Sequence, residues 1–155
     1  FEENARLKAA AYARLSGLVT LADDSGLVVD ALNGEPGVHS ARYAGPHASD
    51  EDRYRLLLQN MSSVPDGERT ARFVCVVAVS TPGGGTHTAT GSCEGKITHA
   101  PAGENGFGYD PVFLIPERGV TMAQLSPDEK NRISHRARAL AAIRPALTQL
   151  IEGTG

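Results

Sequence analysis

Apolar residues at Leu7, Ala11 and Leu15 recur once per helical turn, with Glu2 and Glu3 near the N-terminal end and Gly17 as a stop. This predicts a short amphipathic helix burying those three positions. Two apolar runs follow, Leu18 to Ala22 and Leu27 to Leu32, read as strands flanking an Asp23-Asp24-Ser25-Gly26 bend. Asn33-Gly34 supplies the next turn. Ser49 is placed to cap a helix running to about Met61 through Tyr54, Leu57 and Leu58, closed by Pro65-Asp66-Gly67. Phe73 to Val79 is apolar without a break, the signature of a strand covered on both faces and expected at the centre of a sheet. Thr86 to Cys93 and Glu94 to His99 read as strands of an antiparallel meander, and Val112 to Ile115 as another strand.

The C-terminal part starts on a strong helix signal, Ser126-Pro127-Asp128-Glu129. On one unbroken helix, Lys130 and Arg136 would point about 240 degrees apart. A break is therefore favoured, with a first helical turn ending near Arg132 and Ser134 capping a second helix, so that Lys130, His135 and Arg136 could converge on one anion. Ala137, Leu140, Ala141 and Leu147 form the expected core stripe, and Pro145 either kinks that helix or opens another.

These elements describe a single mixed α/β domain, and 155 residues are enough to bury roughly 70% of the surface an unfolded chain would expose. The net charge of -3 argues against a stable nucleic-acid partner, because such binding needs a strong basic excess. One basic group stands apart: Lys130, Arg132, Arg136, Arg138 and Arg144 face only Asp128 and Glu129 in the same stretch. Cys75 and Cys93 are too few for a disulfide scaffold and read as reduced thiols, and no apolar run approaches a membrane span. A cytoplasmic location is the expectation.

Three polar groups carry candidate chemistry. Adjacent carboxylates at Asp23-Asp24, followed by a hydroxyl and a glycine, suit a divalent cation held against a phosphate while one carboxylate activates water. Phe107-Gly108-Tyr109-Asp110-Pro111 offers an aromatic on glycine-flanked backbone, suited to stacking on a base. Lys130 to Arg136 supplies cations for phosphate. Each has a plain alternative as a turn, a core plug or a solvated helix face, but a nucleotide site needs all three. A non-catalytic module binding nucleotides or single-stranded nucleic acid is the alternative reading.

Over nearly its whole length the chain resembles the inosine triphosphate pyrophosphatase family. The resemblance is carried by Phe1-Glu2-Glu3-Asn4-Ala5 with Lys8, Ala22-Asp23-Asp24-Ser25-Gly26-Leu27 and Pro36-Gly37-Val38-His39-Ser40-Ala41-Arg42-Tyr43, together with Gly106-Phe107-Gly108-Tyr109-Asp110-Pro111 and Ser134-His135-Arg136. It implies a two-lobed α/β fold around a long mixed β-sheet with flanking helices, the nucleotide lying between the lobes, and commonly a homodimer. It also implies magnesium-dependent hydrolysis of ITP, dITP and XTP to the monophosphate and pyrophosphate. By the same resemblance Asp24 is the general base and Mg2+ ligand. Ser25, Lys8, Phe107, Gly108, Tyr109, Asp110, Lys130, His135 and Arg136 are the substrate-binding residues. Glu3 reads either as a substitute metal ligand or simply as an acid at the helix start. The family also carries, ahead of the Phe1 position, a first strand with a threonine-glycine-asparagine loop ending in lysine, and a further magnesium-binding acid. The expectation is one such domain spanning residues 1–155 without those parts.

Overall fold

The computed structural model describes residues 1–153, with side chains through Gln149. Four α-helices and five strands alternate with short 3-10 turns: α1 (Glu2–Ser16), β1 (Thr20–Val29), α2 (Asp50–Asn60), β2 (Thr70–Ser80), β3 (Thr86–Ile97), β4 (Phe113–Ile115), β5 (Val120–Thr121), α3 (Pro127–Ile133) and α4 (His135–Gly153). The strands form one sheet in the order β1-β2-β3-β4-β5. The α/β class with helices flanking a sheet is as expected. The resemblance implied a mixed sheet; the pairings of β4 with β3 and with β5 are antiparallel, and the five-residue turn joining β2 to β3 permits only an antiparallel pair. β2 is an interior strand, though β3 rather than β2 lies in the middle of the five. No helix among the described residues is long and apolar enough to cross a membrane.

The chain divides into two compact units. The first comprises Phe1–Ser25, Val74–Ser92 and the described residues from Ser134 on; the second comprises Gly26–Phe73 and Cys93–Ile133. In the first unit β2 is covered on both faces, as its unbroken apolar run predicted. Cys75, Val77 and Val79 pack with Ala139 and Ile143 of α4, while Val76 and Ala78 pack with Ala5 and Ala9 of α1. Alternate strand residues point to opposite faces, so one strand serves two small cores.

In α1 the buried stripe differs from the one the leucines suggested, and in α4 only Leu147 of the expected stripe packs on the core. In α1 the buried residues are Ala5, Ala9 and Ala13, each fully inaccessible, whereas Leu7 is 62% and Leu15 84% exposed. The alanine face repeats at i, i+4 and i+8, and its small side chains let the helix lie close to β2. Gly17 does end the helix, in the left-handed conformation at φ 70°. In α4 the buried positions are Ala139 and Ile143, with Ala146 and Leu147 packed beside them, and Leu140 is exposed. The helix continues through Pro145.

The second unit holds the larger core, including Leu27, Leu57, Met61, Phe73, Tyr109, Val112, Phe113 and Ile115. Phe73 and Phe113 stack at 4.3 Å between ring centroids. Ser49 closes the N-terminus of α2 in a reciprocal capping box with Asp52. Those hydrogen bonds hold the Asp52 carboxyl below the usual carboxylate range. Ser126 and Glu129 make the equivalent exchange at α3. The strand β5 was not foreseen, and the predicted pair of strands from Thr86 to His99 is the single strand β3.

Candidate active site

The acidic tripeptide lies inside a strand. The expected bend at Asp23-Asp24-Ser25 is absent, and β1 runs straight through it. Extended backbone sends Asp23 and Ser25 to one face and Asp24 to the other. Each carboxylate therefore meets a different helix.

Asp24 faces α1. Its Oδ2 accepts a hydrogen bond from Asn4 Nδ2 at 3.2 Å, and Lys8 Nζ stands 3.7 Å from its Oδ1. Lys8 also donates to the main-chain oxygen of Asp23 at 3.0 Å. Asn4 and Lys8 are neighbours at i and i+4 on the helix surface, beside the buried alanine face, so close packing of that face delivers both to the carboxylates. Asp23 faces the other way. Its Oδ2 accepts from Arg136 Nη2 at 3.2 Å and Ser25 Oγ at 3.4 Å, with Cys75 Sγ at 3.9 Å. Burial pushes the Cys75 thiol up, which keeps it protonated and unreactive.

Arg136 owes its position to the predicted helix break. α3 ends at Ile133, α4 begins at His135, and Ser134 Oγ accepts from Ala137 N at 3.1 Å as the cap between them. The first turn of α4 rests on Gly91 of β3. A Cβ at Gly91 would overlap the backbone at Ala139 and His135. Gly91→Ala is expected to push this turn outward and destabilise the protein by about 1–3 kcal/mol, the usual cost of overpacking. A urea-unfolding midpoint equal to that of the wild type would refute this.

In the second unit the Gly106–Asp110 loop is built around a buried carboxylate. Asp110 is 4% exposed; its Oδ2 accepts from Phe107 N at 3.1 Å and from Lys130 Nζ at 2.5 Å. Burial pushes the Asp110 carboxyl up, opposed by the hydrogen bond and charge of Lys130. Gly106 is required here, because it sits at φ 76° and a Cβ would strike Asp110 Oδ2. The same Lys130 ammonium lies 4.2 Å from the centroid of the Phe107 ring, a cation–π contact. Phe107 itself is 64% exposed, an aromatic surface held ready beside a cation. Tyr109 turns inward: its ring joins the core and its hydroxyl donates to the Ser40 main-chain oxygen at 2.7 Å. Burial pushes its phenol up as well. Ser40 Oγ in turn accepts from Leu27 N at 2.9 Å and donates to Gly37 O at 2.7 Å.

Of the candidate residues in the first unit, Lys8 and Asp24 meet on one face of β1 and Ser25 and Arg136 on the other; in the second unit Phe107, Gly108, Asp110 and Lys130 belong to one cluster around the loop. Lys130 and Arg136, expected to meet on one anion with His135, each hold a carboxylate of the protein. Lys130 is committed to Asp110 and Phe107, and Arg136 to Asp23. His135 opens α4, with its carbonyl against Gly91. Asn4 was not singled out as a site residue, although its i, i+4 relation to Lys8 was a readable signal. Asp50, which accepts from Gly108 N at 3.0 Å, was also missed.

No three His, Cys, Asp or Glu side chains among the described residues are grouped to cage a metal. Magnesium is ordinarily held through one or two carboxylates, waters and substrate phosphates rather than by an all-protein cage. A single accessible carboxylate such as Asp24 fits that mode.

The model of the Ham1 family matches residues 1–146. The chain belongs to the Ham1 family. It is 54% identical over 155 residues, all of this chain and 76% of the relative, to the dITP/XTP pyrophosphatase of Geobacillus kaustophilus. It is also 54% identical to that of Geobacter sulfurreducens, over 95% of this chain and 74% of the relative. Among solved structures, a HAM1 protein from Coxiella burnetii superimposes with a TM-score of 0.91 at 45% identity, covering 96% of this chain and 77% of that one.

Proposed function

We propose that this protein is a nucleoside triphosphate pyrophosphatase that hydrolyses deaminated purine nucleotides, ITP, dITP and XTP, to the monophosphate and pyrophosphate. The observation that carries the reading is the strand-borne Asp24 carboxylate flanked by Lys8 and Asn4, in a chain more than half identical to dITP/XTP pyrophosphatases. The reading includes magnesium as cofactor, a homodimeric assembly and a cytoplasmic nucleotide pool as the place of action.

Water is the nucleophile in this reaction. Its oxygen forms a bond to the α-phosphorus, the bond from that phosphorus to the bridging oxygen breaks, and pyrophosphate leaves with the bonding pair. Asp24 takes the proton of the attacking water. Bound magnesium supplies charge neutralisation and a lowered water pKa, within reach of an ordinary carboxylate base. Lys8 places a positive charge beside the carboxylate and the incoming polyphosphate, and Asn4 fixes the carboxylate's orientation through Oδ2. Asp23 holds Arg136 at a defined place on the opposite strand face. Phe107 offers its exposed ring for stacking on the purine, a contact contributing about 1–3 kcal/mol but blind to base identity. Discrimination falls to donors: His135 and Arg136 suit a 6-oxo group and would be left facing a donor by adenine's 6-amino group.

Incubation with ITP and magnesium is expected to yield IMP and pyrophosphate in equal amounts. Orthophosphate in place of pyrophosphate would overturn the assigned bond cleavage, and tight ITP binding without turnover would favour a binding module.

A further inference from the structure

We infer that Asp50, at the start of α2, is a positioning residue that aims the Phe107 ring by gripping the Phe107–Gly108 peptide from outside its loop. The inference rests on the reading above that this loop receives the base. Gly106 and Gly108 both adopt positive φ, 76° and 60°, so the loop contains two residues with wide conformational freedom on either side of the exposed aromatic. Its order must come from ties to fixed groups. The peptide joining Phe107 to Gly108 is held at both edges: its carbonyl accepts from Asp110 N at 3.2 Å, and its N–H donates to Asp50 Oδ2 at 3.0 Å. A peptide is planar, so fixing both edges fixes the ψ of Phe107 and with it the direction of the ring over Lys130.

Asp50 is itself immobilised. Its other oxygen, Oδ1, accepts from Arg53 Nη1 at 2.9 Å, and the Arg53 side chain is only 17% exposed. Nor is Asp50 needed to start its helix, because Ser49 and Asp52 complete the capping box between them. One carboxylate thus spends one oxygen on a semi-buried arginine and the other on the loop. A first-turn acid whose only task was to complement the helix dipole would need neither partner.

The test compares Asp50→Ala with Asp50→Asn, whose one amide oxygen still accepts from Gly108 N while the exposed Arg53 contact, which needs a second acceptor, is given up to water. Losing one charge-assisted tie is expected to raise KM for ITP by about 5- to 10-fold with kcat within about twofold, while Asp50→Asn stays within about twofold of the wild type in both. Competitive inhibition by tripolyphosphate, which has no base, should be unchanged by either substitution. An activity-independent readout uses Phe107→Trp as reporter, since the natural chain has no tryptophan. In that background Asp50→Ala should increase acrylamide quenching and Asp50→Asn should not. An unchanged KM with unchanged quenching would overturn the proposal, as would a parallel loss of kcat and tripolyphosphate affinity. If the protein failed to hydrolyse ITP, the quenching comparison would still decide whether Asp50 orders the loop.

Discussion

Replacing Asp24 with asparagine is expected to lower kcat for ITP by roughly 10²- to 10⁴-fold, the range that a positioned general base contributes, while leaving the fold intact. The isosteric amide keeps the volume of the carboxylate, and its oxygen can still accept from Asn4. What it loses is the charge facing Lys8 at 3.7 Å and the capacity to take a proton. The side chain is only 17% exposed but is not part of any apolar cluster, and partly solvated ion pairs contribute little to stability. Stability and activity should therefore separate: the unfolding midpoint stays close to that of the wild type while turnover collapses. Steady-state pyrophosphate release with a parallel urea titration measures both. Turnover within a factor of a few of the wild type would exclude Asp24 as the base.

How far the sequence discloses this site depends on the kind of contact involved. Ser49, Ser126 and Ser134 were readable as caps because capping is local: a hydroxyl and an amide three residues apart. The break before α4 followed from Ser134 as a cap and from asking Lys130 and Arg136 to share one ligand, which an unbroken helix forbids. The course of β1 was not legible, because aspartate, serine and glycine favour turns in isolation, and pairing with β2 overrides that preference. The buried face of α1 was misread for a related reason. Leucines mark a helix face by hydrophobicity, whereas here close approach to Val76 and Ala78 selects the alanines. Tyr109 was expected at the substrate, and its position in the core reflects a hydroxyl satisfied by Ser40 O, 69 residues away. Asp50 reaches Gly108 across 58 residues. Ties of this kind end on backbone atoms, which every residue has, so no complementary side chain appears in the sequence to betray them.

The same kind of tie, on a larger scale, sets the largest expected stability effect. Arg69 is 3% exposed, and among the described residues its guanidinium has no carboxylate partner in contact and donates to four main-chain carbonyls. Nε binds Ile97 O at 2.8 Å and Nη2 binds Thr98 O at 2.8 Å, both at the end of β3. Nη1 binds Met61 O at 2.7 Å and Val64 O at 3.0 Å, in the segment that leaves α2. Carbonyls at a helix C-terminus lack intrahelical donors and carry the negative end of the dipole, so a cation there satisfies both needs. Burial pulls the Arg69 pKa down, with the nearby charge of Asp66 opposing it, and a guanidinium remains charged under any ordinary condition. Arg69→Met would remove the cost of burying that charge but strand four acceptors. With about 1–3 kcal/mol for each buried group left unpaired, and partial relief by entering water, the net loss is expected at about 3–5 kcal/mol. That is a large share of the roughly 5–15 kcal/mol that separates folded from unfolded domains. Arg69→Lys keeps the charge but offers one nitrogen where three are used, so it cannot span the β3 end and the α2 exit together and should recover only a minor part of the loss. Urea unfolding of the three proteins gives the ranking: wild type well above Arg69→Lys, with Arg69→Met lowest. A methionine variant that unfolds at the wild-type midpoint would show that these four carbonyls are satisfied without the guanidinium.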